Sequence, residues 1–226
     1  MKPRLKLLTA GGCVCFFGIV LLTLGCGSSS TKLRVMNAAP DQTSLDVLID
    51  SKSVTTNVNY GTASSYFSVG SGSHNLQIEP SGITTPIINS TVTLSSGNNT
   101  IIAANFTASI TTITLADNKT APATGDIQLR IVNAAPGLGP GDVYIVAPGT
   151  DLTTVSPTIS GLAFESASSY QQIAAGSYEV FFTLPGQKFA YIDSGALTLT
   201  AGQNRTLVGL NSQTGGFTTT VLADLN

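Results

Sequence analysis

Leu33-Arg34-Val35-Met36-Asn37-Ala38-Ala39-Pro40 returns as Leu129-Arg130-Ile131-Val132-Asn133-Ala134-Ala135-Pro136, 96 residues further along the chain. At the same offset, Asp46-Val47-Leu48-Ile49 corresponds to Asp142-Val143-Tyr144-Ile145. A repeat of this length is too long for one solenoid unit and suits a whole small β domain. The chain is therefore predicted to contain two copies of one domain in tandem.

The match continues at larger offsets. Ala63-Ser64-Ser65-Tyr66 corresponds to Ala167-Ser168-Ser169-Tyr170 at 104, and Leu115-Ala116-Asp117 to Leu222-Ala223-Asp224 at 107. The second copy has therefore gained residues, and the largest gain, of eight residues, falls within 145–164. Insertions collect in surface connections because a strand cannot absorb them without losing its register. The growing offset thus predicts where the loops lie.

Alternating apolar and polar residues predict β-strands in both copies. His74, Leu76 and Ile78 alternate with polar residues, and β-branched residues and turn-forming Gly, Asn and Pro are frequent throughout the chain. The fold class is predicted to be all-β, with two tandem immunoglobulin-like antiparallel β-sandwich domains at residues 32–118 and 126–226 and a linker at 119–125. The inward-facing pairs are expected to be Leu33/Leu129, Val35/Ile131, Val47/Val143, Ile49/Ile145, Leu76/Val180 and Ile78/Phe182.

The N-terminus has the features of an export signal. Basic residues precede an apolar run at residues 7–24, and Gly25-Cys26 follows. This resembles a bacterial lipoprotein signal peptide at residues 1–25, with Cys26 as the lipidated first residue of the mature chain and 26–31 as a tether. Thr23 departs from the usual leucine of that motif. An uncleaved membrane anchor, a released protein and a second lipobox at Cys13 are the alternatives.

Such an anchor would place the protein in the cell envelope, attached to a membrane through its lipid. Gly27 follows Cys26, where an acidic residue can retain lipoproteins in the inner membrane of some bacteria. The outer membrane is therefore the expected address, on its periplasmic side or at the cell surface.

Charge and cysteine content exclude several functions. A mature chain starting at Cys26 carries 7 basic and 12 acidic residues, a net charge of −5, which argues against nucleic-acid binding. All three cysteines lie at or before Cys26, so the folded part contains neither a disulfide nor a cysteine-ligated metal. No cofactor is expected.

The strand and turn motifs also resemble a known family. The stretch LRVMNAAPDQTSLDVLID, followed by YGTASSYFSVGSGSHNLQI, is similar to exported bacterial domains catalogued as DUF4397, a domain of unknown function. In both copies Asp46/Asp142 and Gly72/Gly176 fall on that family's pattern. The resemblance implies a surface-exposed β-sandwich, often in tandem, and implies no reaction.

Two residue types could carry chemistry in this chain. His74 is the only histidine in the chain. It could be catalytic or bind a metal. It could instead be a packing residue, because Tyr178 takes its place in the second copy. Tyr66 and Tyr170 are expected to be buried, each with its hydroxyl bonded to backbone, and stacking on a ligand is the alternative.

Asp46 and Asp142 are the best-placed carboxylates because both copies keep them. Each could bind calcium or a glycan hydroxyl. Each could instead accept backbone N–H groups from the preceding turn. The second reading is favoured, because a requirement of the shared fold keeps a residue in both copies.

No catalytic constellation stands out, so the chain is not expected to be an enzyme. We expect a non-catalytic, lipid-anchored binding or structural module for a protein or glycan. The alternatives are an assembly subunit that pairs through an edge strand, and a polysaccharide hydrolase. The segment 147–157, longer only in the second copy and called the inserted loop below, offers Asp151, Thr153, Thr154 and Val155 as candidate binding residues, with neutral loop drift as the alternative.

Overall fold

The computed structural model describes Met1 and residues 31–225. The signal peptide, Cys26 and all of the tether except its last residue lie outside the described residues. Within the described part, no helix has the length and apolar character needed to cross a membrane.

The described chain is built from strands, and the all-β sandwich prediction is confirmed. The first half contains β1 (Thr31–Ala38), β2 (Ser44–Ile49), β3 (Lys52–Asn59), β4 (Phe67–Val69), β5 (Gly72–Pro80), β6 (Ile88–Leu94), β7 (Asn98–Ala104), a 3₁₀ turn (Thr107–Ser109) and β8 (Thr111–Asp117). The second half contains β9 (Asp126–Asn133), β10 (Gly141–Val146), a 3₁₀ turn (Leu152–Thr154), β11 (Ile159–Leu162), β12 (Ser166–Ala167), β13 (Gln171–Ala174), β14 (Gly176–Thr183), β15 (Ala190–Asp193), β16 (Leu197–Leu199), β17 (Asn204–Asn211) and β18 (Phe217–Leu225).

Each half forms two sheets made only of its own strands. The first half has the orders β4-β1-β7-β8 and β3-β2-β5-β6. The second has β12-β9-β17-β18, with β13 also on β9, and β11-β10-β14-β15, with β16 also on β14. The corresponding pairs β1–β7 and β9–β17 are parallel, whereas the other strand pairs are antiparallel. The strand order therefore repeats between the halves.

Each sandwich has its own apolar core between its two sheets. Leu33 and Val35 of β1 pack with residues of β2, β5, β6 and β7 in the first half, and the second half packs in the same way around β9. Of the twelve residues expected to face inward, eleven are buried. Ile145 is only partly buried, and it packs against the second core.

A third apolar cluster lies between the halves. Met36 of β1, Ile102 of β7, Val132 of β9 and Val208 of β17 are fully buried in it. These side chains alternate with those that face the two inner cores, so the central strands are buried on both sides. The four sheets therefore stack as layers, and the two central sheets face each other. The sequence analysis anticipated a linker between the copies but not this shared core.

Candidate functional site

Four charged side chains meet at one end of the interface between the halves. Arg34 forms an ion pair with Asp224 of the other half, and its Nη2 lies 3.9 Å from Asp117 Oδ1. Arg130 forms the reciprocal pair, with Nη2 2.5 Å from Asp117 Oδ1 and 3.8 Å from Asp224 Oδ2. Each arginine thus crosses to the last strand of the opposite copy. The four side chains are buried, and their charges sum to zero.

Side chains of its own half complete the surroundings of Asp117. The Thr100 hydroxyl donates to Asp117 Oδ2 at 2.6 Å, and the Tyr66 hydroxyl donates to the same oxygen at 2.7 Å. Arg34 stacks on the Tyr66 ring, with its guanidinium carbon 4.7 Å from the ring centroid. Burial, together with the neighbouring Asp117 carboxylate, raises the pKa of Tyr66 far above its usual range, so the hydroxyl stays a donor.

The second half repeats this arrangement around Asp224. Thr206 donates to Asp224 Oδ2 at 2.6 Å and Tyr170 at 2.8 Å, while Arg130 stacks on the Tyr170 ring at 4.7 Å. Burial raises the pKa of Tyr170 as well. The expected backbone acceptor of the two tyrosine hydroxyls was wrong, since the acceptor is a carboxylate. Each ring is stacked against an arginine within the protein.

The buried cluster of two arginines and two aspartates can be compared with the carboxylate pair that a polysaccharide hydrolase needs. Asp117 and Asp224 are the carboxylates that converge, yet both side chains are fully shielded from solvent and accept from an arginine, a threonine and a tyrosine. A glycosidase needs one carboxyl group that delivers a proton to a bound substrate and a second that acts on the opposite side of the sugar. This pair is shielded from solvent and links the two halves through its ion pairs.

The sequence analysis quoted these residues without assigning them a role. Arg34/Arg130 recur at an offset of 96 and Asp117/Asp224 at 107. A buried charge is tolerated only when it is paired. The repetition of these charged residues within apolar strands could have indicated that they are buried. Their pairing across the two halves depends on the tertiary packing.

Asp46 connects three segments of the first half. Its Oδ1 accepts from the Asn57 backbone N–H at 2.8 Å and from the Ser81 hydroxyl at 2.6 Å. Burial acts to raise the pKa of Asp46, but the hydrogen bonds from Ser81, Asn57 and Gly82 outweigh it and hold the pKa below its usual value. Asn57 has a left-handed φ of 55°, within a stretch where the β2–β3 register shifts.

Asp142 does the same in the second half. Its two oxygens accept the backbone N–H groups of Gly161 at 2.7 Å and Gly186 at 2.8 Å, and Gly161 again has a left-handed φ, of 61°. Both aspartates therefore bind backbone N–H groups, as the favoured reading held. The donors lie on the next strand and on a later hairpin, however, and not in the preceding turn. Among the described residues, no group of three or more His, Cys, Asp or Glu side chains could hold a metal ion.

His74, near the start of β5, joins the turn after β2 to the connection between β4 and β5. Its Nδ1 lies 2.8 Å from Asp50 Oδ2, and its Nε2 lies 3.0 Å from the Gly70 carbonyl oxygen. In the second copy the Tyr178 hydroxyl donates to the Ala174 carbonyl at 2.9 Å, the same bond four residues back along the chain. Because both ring nitrogens of His74 face acceptors, the geometry suits the protonated ring and leaves no free nitrogen for a general base.

We expect His74 to make stability pH-dependent. The hydrogen bond to Asp50 raises the pKa of His74 and lowers that of Asp50, and Lys52 also contributes to the lower pKa of Asp50. A raised pKa gives stability that is present below the unfolded value of about 6.5 and is lost as the pH rises through the folded value. The thermal midpoint of the natural chain should therefore fall relative to that of His74→Tyr as the pH rises above about 6.5. A difference that stays constant with pH would contradict the prediction.

The inserted loop is ordered by its own contacts. Asp151 Oδ1 accepts from the Thr153 backbone N–H at 2.9 Å and from its hydroxyl at 2.8 Å, and the Thr154 hydroxyl donates to the Asp151 carbonyl at 2.8 Å. The hydrogen bonds from Thr153 lower the pKa of Asp151. Lys188 donates to the Val155 carbonyl at 2.5 Å. The four candidate binding residues thus lie together, with the polar side chains largely engaged within the loop, and their role in binding stays a prediction.

Lys188 joins this loop to an aromatic surface. Its ammonium nitrogen lies 4.9 Å from the centroid of the Tyr144 ring, while the next residue, Phe189, is 71% exposed. Phe189 meets Tyr191, itself 42% exposed, edge-to-face at a centroid distance of 5.2 Å. Tyr191 in turn meets Phe217 at 6.4 Å.

Phe189, Tyr191 and Phe217 are called the aromatic patch below. In the first copy, the hairpin at residues 81–86 contains no aromatic residue, and Ile83 is its exposed apolar side chain. The sequence did not predict this patch, because its rings come from two separate stretches of the second half that only the fold brings together.

A separate depression of about 370 Å³ opens along the seam between the halves. It is lined by Arg34, Ser64 and Tyr66 from the first half and by Val221 from the second. Arg34 is already committed to the buried cluster, so the depression offers a ligand mainly backbone and apolar surface.

Two solved structures show a weak similarity to this chain. One match is the family 26 carbohydrate-binding module of Eubacterium rectale Amy13K, solved with maltoheptaose. The two are 10% identical, the match covers 85% of this chain and 96% of that chain, and the TM-score is 0.26. Another is a family 41 carbohydrate-binding module from streptococcal virulence factors, described by its α-glucan recognition. The two are 12% identical, the match covers 79% of this chain and 93% of that chain, and the TM-score is 0.27. Likeness at this level does not transfer a ligand.

Comparison with curated protein sequences found no match. The family model described as "Domain of unknown function (DUF4397)" matches residues 31–144, which span the first half and continue through β9 into β10. This match covers half of the chain and agrees with the resemblance of the strand and turn motifs. The chain therefore belongs to the DUF4397 family.

Proposed function

We propose that this protein is a non-catalytic, lipid-anchored module of the cell envelope that binds neutral glycans through the aromatic patch. The observation that carries the proposal is the exposed pair Phe189 and Tyr191, placed on or beside a strand of a rigid sandwich. An aromatic ring offers a flat apolar face that packs against the C–H face of a pyranose ring. Exposed apolar patches on soluble domains commonly mark binding sites.

The size of the patch favours a sugar chain over a protein partner. A stable protein–protein interface buries at least about 1,200 Å² with a well-packed centre. Two exposed rings and a half-buried third supply much less apolar area than that. They suit instead one or two sugar units, whose hydroxyl groups stay in contact with water.

Charge favours a neutral glycan. The mature chain has a net charge of −5, which repels polyanionic polysaccharides. Lys188 adjoins Phe189, but its ammonium group is held by the Val155 carbonyl and the Tyr144 hydroxyl, at 2.5 and 3.1 Å. The cation beside the patch is thus already engaged.

The anchor and the absence of catalysis complete the proposal. A lipid on Cys26, followed by the tether at 26–31, would hold the sandwiches at a membrane surface. The carboxylates that converge in the fold are buried between the halves, which supports binding without turnover.

Removing the two exposed rings should weaken binding. We expect residues 31–226 to bind at least one of soluble α-glucan, β-glucan or mannan, as measured by isothermal titration calorimetry. The double variant Phe189→Ala/Tyr191→Ala should weaken that binding about tenfold or more, since each aromatic contact contributes about 0.5–1.5 kcal/mol. Phe106→Ala is the matched control, because Phe106 is also exposed, at 45%, but lies in the first half.

Two results would contradict this proposal. One is equal affinity of the double variant and the natural chain for every polysaccharide that binds. The other is binding to lipid vesicles, with none to polysaccharides, that is lost in the double variant, because the patch would then be a membrane contact.

A further inference from the structure

Four strands of seven or more residues lie at the open edges of the four sheets in the described chain. They are β3, β6, β8 and β18. An edge strand presents unpaired backbone N–H and C=O groups, which can pair with a strand of another chain unless something covers or distorts them. The four edges differ in how they are protected.

The crossed arginines protect two of these edges. Arg130 Nη1 donates to the Ala116 carbonyl of β8 at 2.9 Å, and Arg34 Nη1 donates to the Ala223 carbonyl of β18 at 2.7 Å. Each guanidinium thus occupies an acceptor on the last strand of the opposite half. A further strand on β8 or β18 would have to displace a buried arginine.

Irregularity protects the third edge. The pairing of β3 with β2 shifts register twice, Asn57 takes a left-handed φ of 55°, and Lys52 adds a charge at the start of the strand. Bulges and edge lysines are devices by which natural sheets prevent edge-to-edge pairing.

Strand β6 has none of these protections. Its seven residues, Ile-Asn-Ser-Thr-Val-Thr-Leu, pair with β5 in one unbroken register and contain neither a charge nor a proline. No other strand of the described chain pairs with it. In the second half the corresponding edge is broken into β15 and β16, with Gly195 at a left-handed φ of 63° between them.

We propose that β6 is a self-association edge, on which β6 of a second copy of this chain pairs in the antiparallel direction about a two-fold axis at Thr91. This register places Thr91 opposite Thr91 and Ile88 opposite Leu94. Ile88, Val92 and Leu94 point into the first core, and the register keeps them on the same face as their counterparts. The two four-stranded sheets then join into one sheet of eight strands.

The sequence of β6 indicates that a second copy of the chain is the partner that pairs with this edge. In an antiparallel pair with its two-fold axis at Thr91, the residue on the axis faces its own copy, so a charge there would repel its counterpart. The exposed side chains of β6 are Asn89, Ser90, Thr91 and Thr93, which are neutral and can hydrogen-bond across the pair. The strand is therefore complementary to itself, and main-chain hydrogen bonds supply the affinity.

Charge placed on the two-fold axis tests this assembly. Residues 31–226 contain all three apolar clusters and are studied by sedimentation equilibrium from micromolar to millimolar concentration. The natural chain should pass from monomer to dimer over this range. Thr91→Lys and Thr91→Glu should each remain monomeric, since two like charges would face each other. A mixture of the two variants should restore the dimer.

Thr114→Lys is the matched control, because Thr114 is exposed on β8, whose edge the Arg130 guanidinium already covers. This variant should dimerise as the natural chain does. A natural chain that stays monomeric throughout would overturn the proposal. So would a Thr91→Lys variant that dimerises unchanged, or a mixture of the Lys and Glu variants that fails to associate.

Discussion

Replacing Arg130 by methionine should destabilise the folded chain by about 3–5 kcal/mol. Arg130 is the principal cation of the buried Asp117 carboxylate, and its Nη1 also binds the Ala116 carbonyl. Methionine keeps most of the apolar stem but leaves a buried negative charge without its partner. Urea denaturation should show a lower midpoint with little change in slope.

Two further variants distinguish the loss of the Arg130 charge from general effects of the substitution. Lys119→Met removes an exposed cation in the linker and should change stability by less than about 0.5 kcal/mol. Arg130→Met combined with Asp117→Leu should cost less than the sum of the two single changes, because the orphaned carboxylate is gone. A loss below about 1 kcal/mol for Arg130→Met alone would mean that Asp117 remains hydrated and that the cluster does not join the halves.

Ile102→Ala should cost about 2–5 kcal/mol, as much as a change in the inner cores. Ile102 is fully buried only because its side of β7 packs against the second half. If the two halves did not pack together, Ile102 would lie on a solvated sheet face and its loss would be nearly neutral. Thr114→Ala on the exposed side of β8 is the control. Thermal or urea unfolding of both variants measures the difference, and a near-zero effect of Ile102→Ala would rule out the shared core.

The inner cores could be predicted from the sequence because a strand that buries one face has a period of two. Leu33 and Val35 alternate with other residues, and their repeat partners do the same. The shared core was hidden on the other face of the same strand, at Met36 and Ala38, and in β7, where residues 101–104 are continuously apolar. Continuous apolar strands indicate burial on both faces. A periodicity of two does not say what covers the second face, so the packing of the halves needed three-dimensional information.

The candidate site residues could also be predicted only in part, because some of their contacts depend on the three-dimensional packing. The aspartates Asp46 and Asp142 were expected to bind backbone N–H groups, and they do, but their donors are brought in by bulges and hairpins far along the chain. The sequence pointed to the inserted loop as the difference between the copies. The aromatic patch beside it was not predicted, because Phe189 and Tyr191 come next to Phe217 only through the packing of β15 on β18.

The reciprocal Arg34–Asp224 and Arg130–Asp117 pairs have the geometry of a symmetric dimer, yet both are formed within one polypeptide. Two separate chains would lose such an interface on dilution, whereas covalent linkage fixes the effective concentration of one half around the other. Occupancy of the interface is then independent of how many molecules the cell makes. Linkage also removes the requirement that both subunits be identical, so one half can carry a longer loop and exposed aromatic rings that the other half lacks.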